Sequence, residues 1–277
     1  MQIGIFAKTF AGQTPAAVMA DAAAAGFDGV QYNMVCSGIP AMPDVISASQ
    51  ASAVGQAAGA ARQSVFAVSG TYNMIHPDPG VRAAGHSRLG VLAASAAGMT
   101  TGLITLCTGS RDPVDQWAHH ADNASPGAWC DLLASFEIAI EIAKTHDVLL
   151  GIEPELGNIV NSAATARRLL DDLQSDRIRI VLDPANLFER ATPDDQRALV
   201  DHAVGLLADR IVMAHAKDRD HTGAFATAGK GIIDFDHFLS TLHRAGFAGP
   251  VVTHGLRADE AAETAGFLRR KLQGLGL

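Results

Sequence analysis

Short apolar runs alternate with longer Ala-rich, amphipathic stretches from one end of the 277-residue chain to the other. IGIF at residues 3–6 reads as a strand. The following TPAAVMADAAAAG reads as a helix, with Thr14 as N-cap, Pro15 in the first turn, where its missing N–H costs nothing, and Gly26 as the stop. GVQY leads into a helix over 47–60, SVFAVSG into one over 81–97, and GLITLC into one over 128–145. Four further runs begin at Val148, Ile178, Ile211 and Val251, with helical stretches near 162–173, 194–207, 236–245 and 259–272. The runs are mostly apolar throughout, as expected for strands covered by helices outside and filled by side chains inside. The alternative, a doubly wound open sheet, lacks its GxGxxG after the first strand; the GKG at 229–231 comes too late and is too short for that phosphate loop. Eight strand–helix units therefore predict the α/β class and a single (β/α)8 TIM barrel spanning 1–277.

The last four strand runs each end on a residue able to ligate a metal or carry a proton. VLLGIEPE supplies Glu153, IRIVLDP Asp183, RIVMAHAKD His215 and PVVTHG His254. In a parallel barrel the carboxyl ends of the strands share one rim, so four residues spread over a hundred positions are expected to face one another there. Each has an ordinary structural reading: a strand-end carboxylate can serve an Arg or a backbone amide, Asp-Pro is a turn signal, and a His in an apolar strand is commonly a hydrogen-bonded core residue. Their joint placement favours the site. Two residues further on, Glu155 and Lys217 fall on the same strand faces if the strands continue. Glu155 is then a second acid or base, and Lys217 a group that holds a substrate oxygen or pairs on the rim with Asp218 or Glu155.

Composition narrows the function. With 21 basic and 29 acidic residues the formal charge is −8, which argues against a broad phosphate-binding surface and against nucleic acid as a partner. Cys36, Cys107 and Cys130 form no CxxC pair and are odd in number, so neither a disulfide framework nor a sulfur-ligated zinc site is expected, and a reducing cytoplasm fits. The amino terminus enters a strand at once, and no apolar run reaches membrane-spanning length; no membrane association or export is expected.

The order IEPE, LDPAN, HAKD and then GKGIIDF before the last strand resembles the sugar phosphate isomerase/epimerase family of xylose isomerase-like TIM barrels, over nearly the whole chain. The resemblance implies one divalent metal held by a strand-end Glu, Asp, His and second Glu. Glu153, Asp183 and His215 match; His254 stands where the family usually has Glu. In the ketose epimerases of that family the two glutamates exchange the proton next to the carbonyl on opposite faces; with His254 in place of the second Glu the resemblance does not carry that two-glutamate reaction over, while an imidazole can still ligate the metal or act as a general acid or base. The oxygen and nitrogen donors suit Mn²⁺, Co²⁺, Mg²⁺ or Zn²⁺. By the same resemblance His76, after the third strand, and Asn186, where many epimerases carry His, are expected to contact sugar hydroxyls.

The expected activity is that of a metal-dependent isomerase or epimerase acting on a keto or aldo sugar or related polyol ketone through an enediolate, with Glu153 and either His254 or Glu155 moving the proton. An inosose dehydratase-like lyase is the near alternative, since an enediolate can expel a β-hydroxyl. A three-zinc apurinic endonuclease needs a larger His and carboxylate cluster and a basic groove, and a non-catalytic sugar-binding protein is suggested only by His254. The long loop after the fourth strand offers Arg111, Trp117, His120, Asp122 and Asn123 as further contacts, with Trp117 a flat wall for a sugar or a packing anchor. Gly229, Lys230 and Gly231 offer backbone amides to a phosphate. The family's dimers and tetramers make a homo-oligomer an open expectation.

Overall fold

Helix starts in this chain are written by capping side chains. A computed structural model describes residues 1–276. Four of its helices place Pro in the first turn behind a Thr, Asp or Ser whose side chain accepts a backbone N–H: α1 (Pro15–Ala24) after Thr14, α3 (Pro79–Ser95) after Asp78, α4 (Pro126–Thr145) after Ser125, and α6 (Pro193–Leu207) after Thr192. Two more, α2 (Ala48–Ala61) and α5 (Ala163–Leu173), begin on reciprocal capping boxes, Ser47 with Gln50 and Ser162 with Thr165. Each cap stabilises its helix by about 1 kcal/mol. The caps also explain why α3 and α4 start two residues before the positions read from hydrophobic pattern: the capping oxygen, and not the first apolar side chain, sets the boundary. α7 (Phe235–Arg244) and α8 (Ala261–Gly274) complete the set.

The strands β1 (Ile3–Phe6), β2 (Gly29–Tyr32), β3 (Ser64–Ser69), β4 (Leu103–Leu106), β5 (Leu149–Ile152), β6 (Ile178–Leu182) and β7 (Ile211–Arg219) pair in parallel, each with the next. β9 (Val251–Thr253) joins β7 to β1 in parallel and closes the ring, so the expected eight-stranded barrel is present. A further strand, β8 (Phe225–Thr227), lies outside the ring. It returns antiparallel along the extended end of β7, with Lys217 opposite Thr227 and Arg219 opposite Phe225. A three-residue FAT is too short to carry a readable period, which is why the sequence does not announce it.

Alternation along the strands divides the core in two. Side chains such as Ile3, Ile5, Leu150, Ile152, Ile178 and Ile180 are buried in the large cluster between the barrel and its helices. The inward set makes a small separate cluster of Ala67, Leu103, Val181, Met213 and Val252. At Gly4 and Gly151 a Cβ would press on these inward residues or on Phe66, which packs against them, meeting Phe66 at 2.9 Å and Val252 at 3.1 Å from Gly4, and Val181 at 3.0 Å and Leu103 at 3.2 Å from Gly151. The barrel thus has an apolar floor, kept narrow enough to close by missing side chains. No helix among the described residues is long and apolar enough to cross a membrane.

Candidate metal centre

One inward step beyond that floor, the side chains change character. Gly151, Val181, Met213 and Val252 are followed two positions later by Glu153, Asp183, His215 and His254, and Gly29 and Leu103 by Gln31 and Thr105. One donor atom from each of Glu153, Asp183, His215 and His254 lies within 4.8 Å of the others. His215 Nδ1 is 3.0 Å from Glu153 Oε1 and 3.9 Å from Asp183 Oδ2, and His254 Nε2 is 3.7 Å from the same Asp183 oxygen. The two imidazoles meet edge to face with centroids 4.5 Å apart.

The donor set fits a divalent cation. Asp183 Oδ2, His215 Nδ1 and His254 Nε2 are buried and make no hydrogen bond among the described residues. Leaving one such group unsatisfied costs about 1–3 kcal/mol, and here three converge on the same space. Lys217 Nζ reaches Asp183 Oδ2 at 3.2 Å, but as an ion-pair contact and not in hydrogen-bonding geometry. Gln31 supplies the orientation of His215. Its Oε1 accepts the proton of His215 Nε2 at 2.7 Å, and its own Nε2 donates to Thr105 Oγ1 at 3.0 Å. With the imidazole proton held on Nε2, the lone pair of Nδ1 points into the cluster.

Charge balance follows from the same contacts. Burial pushes the Glu153 carboxyl up, but its neighbours His215 and Lys217 outweigh burial and hold it well below the usual carboxylate range. Asp183 is likewise lowered, burial being overcome chiefly by Lys217. Burial, aided by Lys217 and His215, brings His254 down to about 4, so its imidazole is neutral and its lone pair available. Lys217 is the counter-ion. Burial alone would depress it, yet Asp183, Glu153 and Glu155 at 3.2, 3.4 and 3.6 Å raise it and keep it protonated. Glu155 moves the other way: burial, then the negative charges of Glu153 and Asp183, push it up to about 8 against the pull of Lys217.

Above the cluster opens a cavity of about 860 Å³, lined by Glu153, His215 and His254 at its base and by Glu155, Lys217 and Trp117 on its walls. The cluster therefore gathers the expected Glu153, Asp183, His215 and His254, with Glu155 and Lys217 beside them. Asn186 stands behind them: it is buried, donates from Nδ2 to Glu153 Oε1 at 2.9 Å and accepts from Lys217 Nζ at 3.3 Å, so it orients Glu153 instead of lining the cavity. His76 is not brought to the cluster. Its Nδ1 accepts from Asp78 N at 3.0 Å and its Nε2 faces Pro113 O at 3.2 Å, in a neighbouring depression, because the turn into α3 carries it away from the barrel axis.

Of the long loop, Trp117 reaches the cavity together with Gln116 and His119. Arg111 pairs with Asp131 at 2.6 Å, Asn123 binds Ser110 and Arg111 N, and His120 caps a turn by accepting from Asp122 N, so these four hold the loop in shape. Asn158 anchors it from the next loop, donating to Gln116 O at 2.9 Å and accepting from Thr108 N and Gly109 N. The amides at 229–231 are also committed. Asp218 accepts from Gly229 N, Gly231 N and Ile233 N, each at 3.0 Å, and from Arg219 N at 2.8 Å. Glycine is required at 231, where a Cβ would lie 2.2 Å from Arg219 O. The amides that could have approached a phosphate are taken by the protein's own carboxylate.

The sequence profile of the family described as "Xylose isomerase-like TIM barrel" matches residues 19–271. Among solved structures, the chain is similar to a 3-keto-D-glucoside 4-epimerase from E. coli in its apo form, with a TM-score of 0.78 at 16% identity over 98% of this chain and 99% of that one. It is also similar to an L-ribulose 3-epimerase (TM-score 0.77, 18% identity, 99% and 95% of the two chains) and to a D-psicose 3-epimerase in the presence of D-fructose (0.77, 16%, 98% and 99%). At these identities the likeness is one of fold. Among curated protein sequences no relative matches the chain.

Proposed function

Because this chain belongs to the xylose isomerase-like TIM barrel family, we propose that it is a divalent-metal-dependent isomerase or epimerase acting on a keto or aldo sugar or a related polyol ketone. The observation that carries the reading is the convergence of four strand-end donors, three with buried atoms that make no hydrogen bond, at the base of a cavity large enough for a monosaccharide. Glu153, Asp183, His215 and His254 would hold the ion, which when bound polarises a substrate carbonyl and favours loss of the neighbouring proton.

Glu153, ionised at neutral pH, takes that proton. His254 is a poor choice for returning it on the other face. A neutral imidazole offers one lone pair, and the nitrogen that faces Asp183 and the cluster is the one that ligates. The second proton carrier is then Glu155, 3.6 Å from Lys217 Nζ on the cavity wall. Lys217 binds the substrate oxygens between the two carboxylates, and Asn186 keeps Glu153 turned toward the cavity. Trp117 offers its flat face to the apolar side of the sugar.

Incubation with ketoses in D₂O and Mn²⁺, Co²⁺, Mg²⁺ or Zn²⁺ tests this directly. Deuterium is expected at the carbon next to the carbonyl, with loss of about 10²–10⁴-fold in rate for Glu153→Gln. Full turnover by Glu153→Gln, or no exchange with any metal, would sink the reading. One observation favours a lyase as second reading: Lys217, a buried ammonium among three carboxylates, is placed to protonate a departing hydroxyl. A product that has lost one water by mass spectrometry decides for it; a product of unchanged mass decides against it.

A further inference from the structure

β7 carries a third residue on its cavity face. His215, Lys217 and Arg219 alternate onto it, and all three line the cavity. At roughly 6.6 Å per two residues, the Cα of Arg219 stands roughly 13 Å of strand beyond that of His215, toward the rim. It is 6% exposed, with its guanidinium 4.1 Å from the centroid of Phe225, the residue opposite it on β8. Its Nε donates to Ala185 O at 2.6 Å and its Nη1 to Gly223 O.

What it lacks is an anion in direct contact: Glu189, Asp183 and Glu155 act on it only at longer range. Among the described residues no carboxylate lies within ion-pair distance of Arg219, and its Nη2 has no hydrogen-bond partner. Glu189 shares the cavity wall without reaching it. The other buried cation of the site, Lys217, has three carboxylate neighbours, and Arg82 and Arg111 share Asp131. A buried guanidinium held by backbone carbonyls alone is costly unless an anion completes it. Lys8, on the same cavity and without an ion pair among the described residues, adds positive field.

We propose that the substrate is an acid sugar, a polyhydroxy keto acid whose carbonyl end lies at the donor cluster and whose carboxylate is held at the other end of the cavity by Arg219. This rests on the metal-dependent sugar reading and names its substrate class. A carboxylate suits the site better than a phosphate. One planar guanidinium matches a carboxylate, whereas the backbone amides a phosphate would use are taken by Asp218.

The test is isothermal titration of the Mn²⁺-loaded protein with D-fructose, with D-fructuronate, in which C6 is a carboxylate, and with D-fructose 6-phosphate. D-Fructuronate is expected to bind at least about 10-fold more tightly than either of the others, as one charge-assisted contact supplies. Arg219→Gln should bring D-fructuronate and D-fructose to within a factor of about three, and Arg219→Lys should restore part of the gap. Equal affinities in the unmodified protein, tightest binding of the phosphate ester, or a preference that survives Arg219→Gln would each overturn the proposal. If Arg219→Gln does not fold, the three affinities of the unmodified protein still decide. The two readings fail separately: turnover of neutral ketoses without carboxylate preference sinks this one alone, and carboxylate preference without solvent exchange sinks only the isomerase. If none of the three binds, both fall.

Discussion

The floor and the mouth of the barrel are built from the same strands, two residues apart, and they do opposite things. At the floor, Ala67, Leu103, Val181, Met213 and Val252 pack against one another around Gly4 and Gly151 and exclude water. At the mouth, Glu153, Asp183, His215 and His254 hold polar atoms that this packing leaves buried and partly unpaired. The difference teaches that the site's chemistry depends on the floor's lack of it. A dry base makes the unpaired donors expensive in the absence of a cation and strengthens every interaction with one.

Four variants sharpen that contrast, from the largest expected effect to the smallest. At the mouth, the Asp183→Ala/His215→Ala double variant should lose near-stoichiometric metal to background when the protein is purified without chelator and measured by mass spectrometry; full metal content in the variant would remove the centre from these residues. At the floor, Met213→Ala should lower the free energy of unfolding by about 2–5 kcal/mol in denaturant titrations while the folded fraction keeps its metal. Coupled loss of stability and metal would mean that the two layers are not separable. Gln31→Leu should weaken metal binding about 10–100-fold in competition with a chelator, because His215 loses the acceptor that fixes its tautomer, and should move the melting transition less than Met213→Ala. Unchanged affinity would make Gln31 a packing residue. Gly151→Ala should cost only about 1 kcal/mol, as Val181 and Leu103 give way to the added methyl, with metal binding intact. Denaturant midpoints equal to the parent's would show that the floor has slack.

Much of the mouth was legible because its donors close apolar runs, where a carboxylate or imidazole stands out: IEPE, LDP, MAHAKD and VVTHG mark their own strand ends. Glu155 and Lys217 followed from the two-residue period. Gln31 was hidden in GVQY because a polar residue inside a half-buried strand is ordinary, and only its contact with His215, 184 positions away, gives it meaning. Asn186 was assigned to the substrate, but the turn after β6 (Ile178–Leu182) tucks it behind Glu153. His76 sits after the right strand, yet its ring is spent on Asp78 N and Pro113 O. The GKG stretch offered free amides on paper, and Asp218 uses them.

The linear chain by itself determined the alternation of strands and helices, the starts of the capped helices and the four donor types, because these depend on periodicity and on neighbours within a few residues. Only the tertiary structure decided which polar groups satisfy one another and which are left facing the cavity. Hydrogen bonding and charge pairing act between side chains far apart in sequence, so Gln31 with His215, Asp218 with the 229–233 amides, and the unpartnered guanidinium of Arg219 take their roles only once the ring has closed.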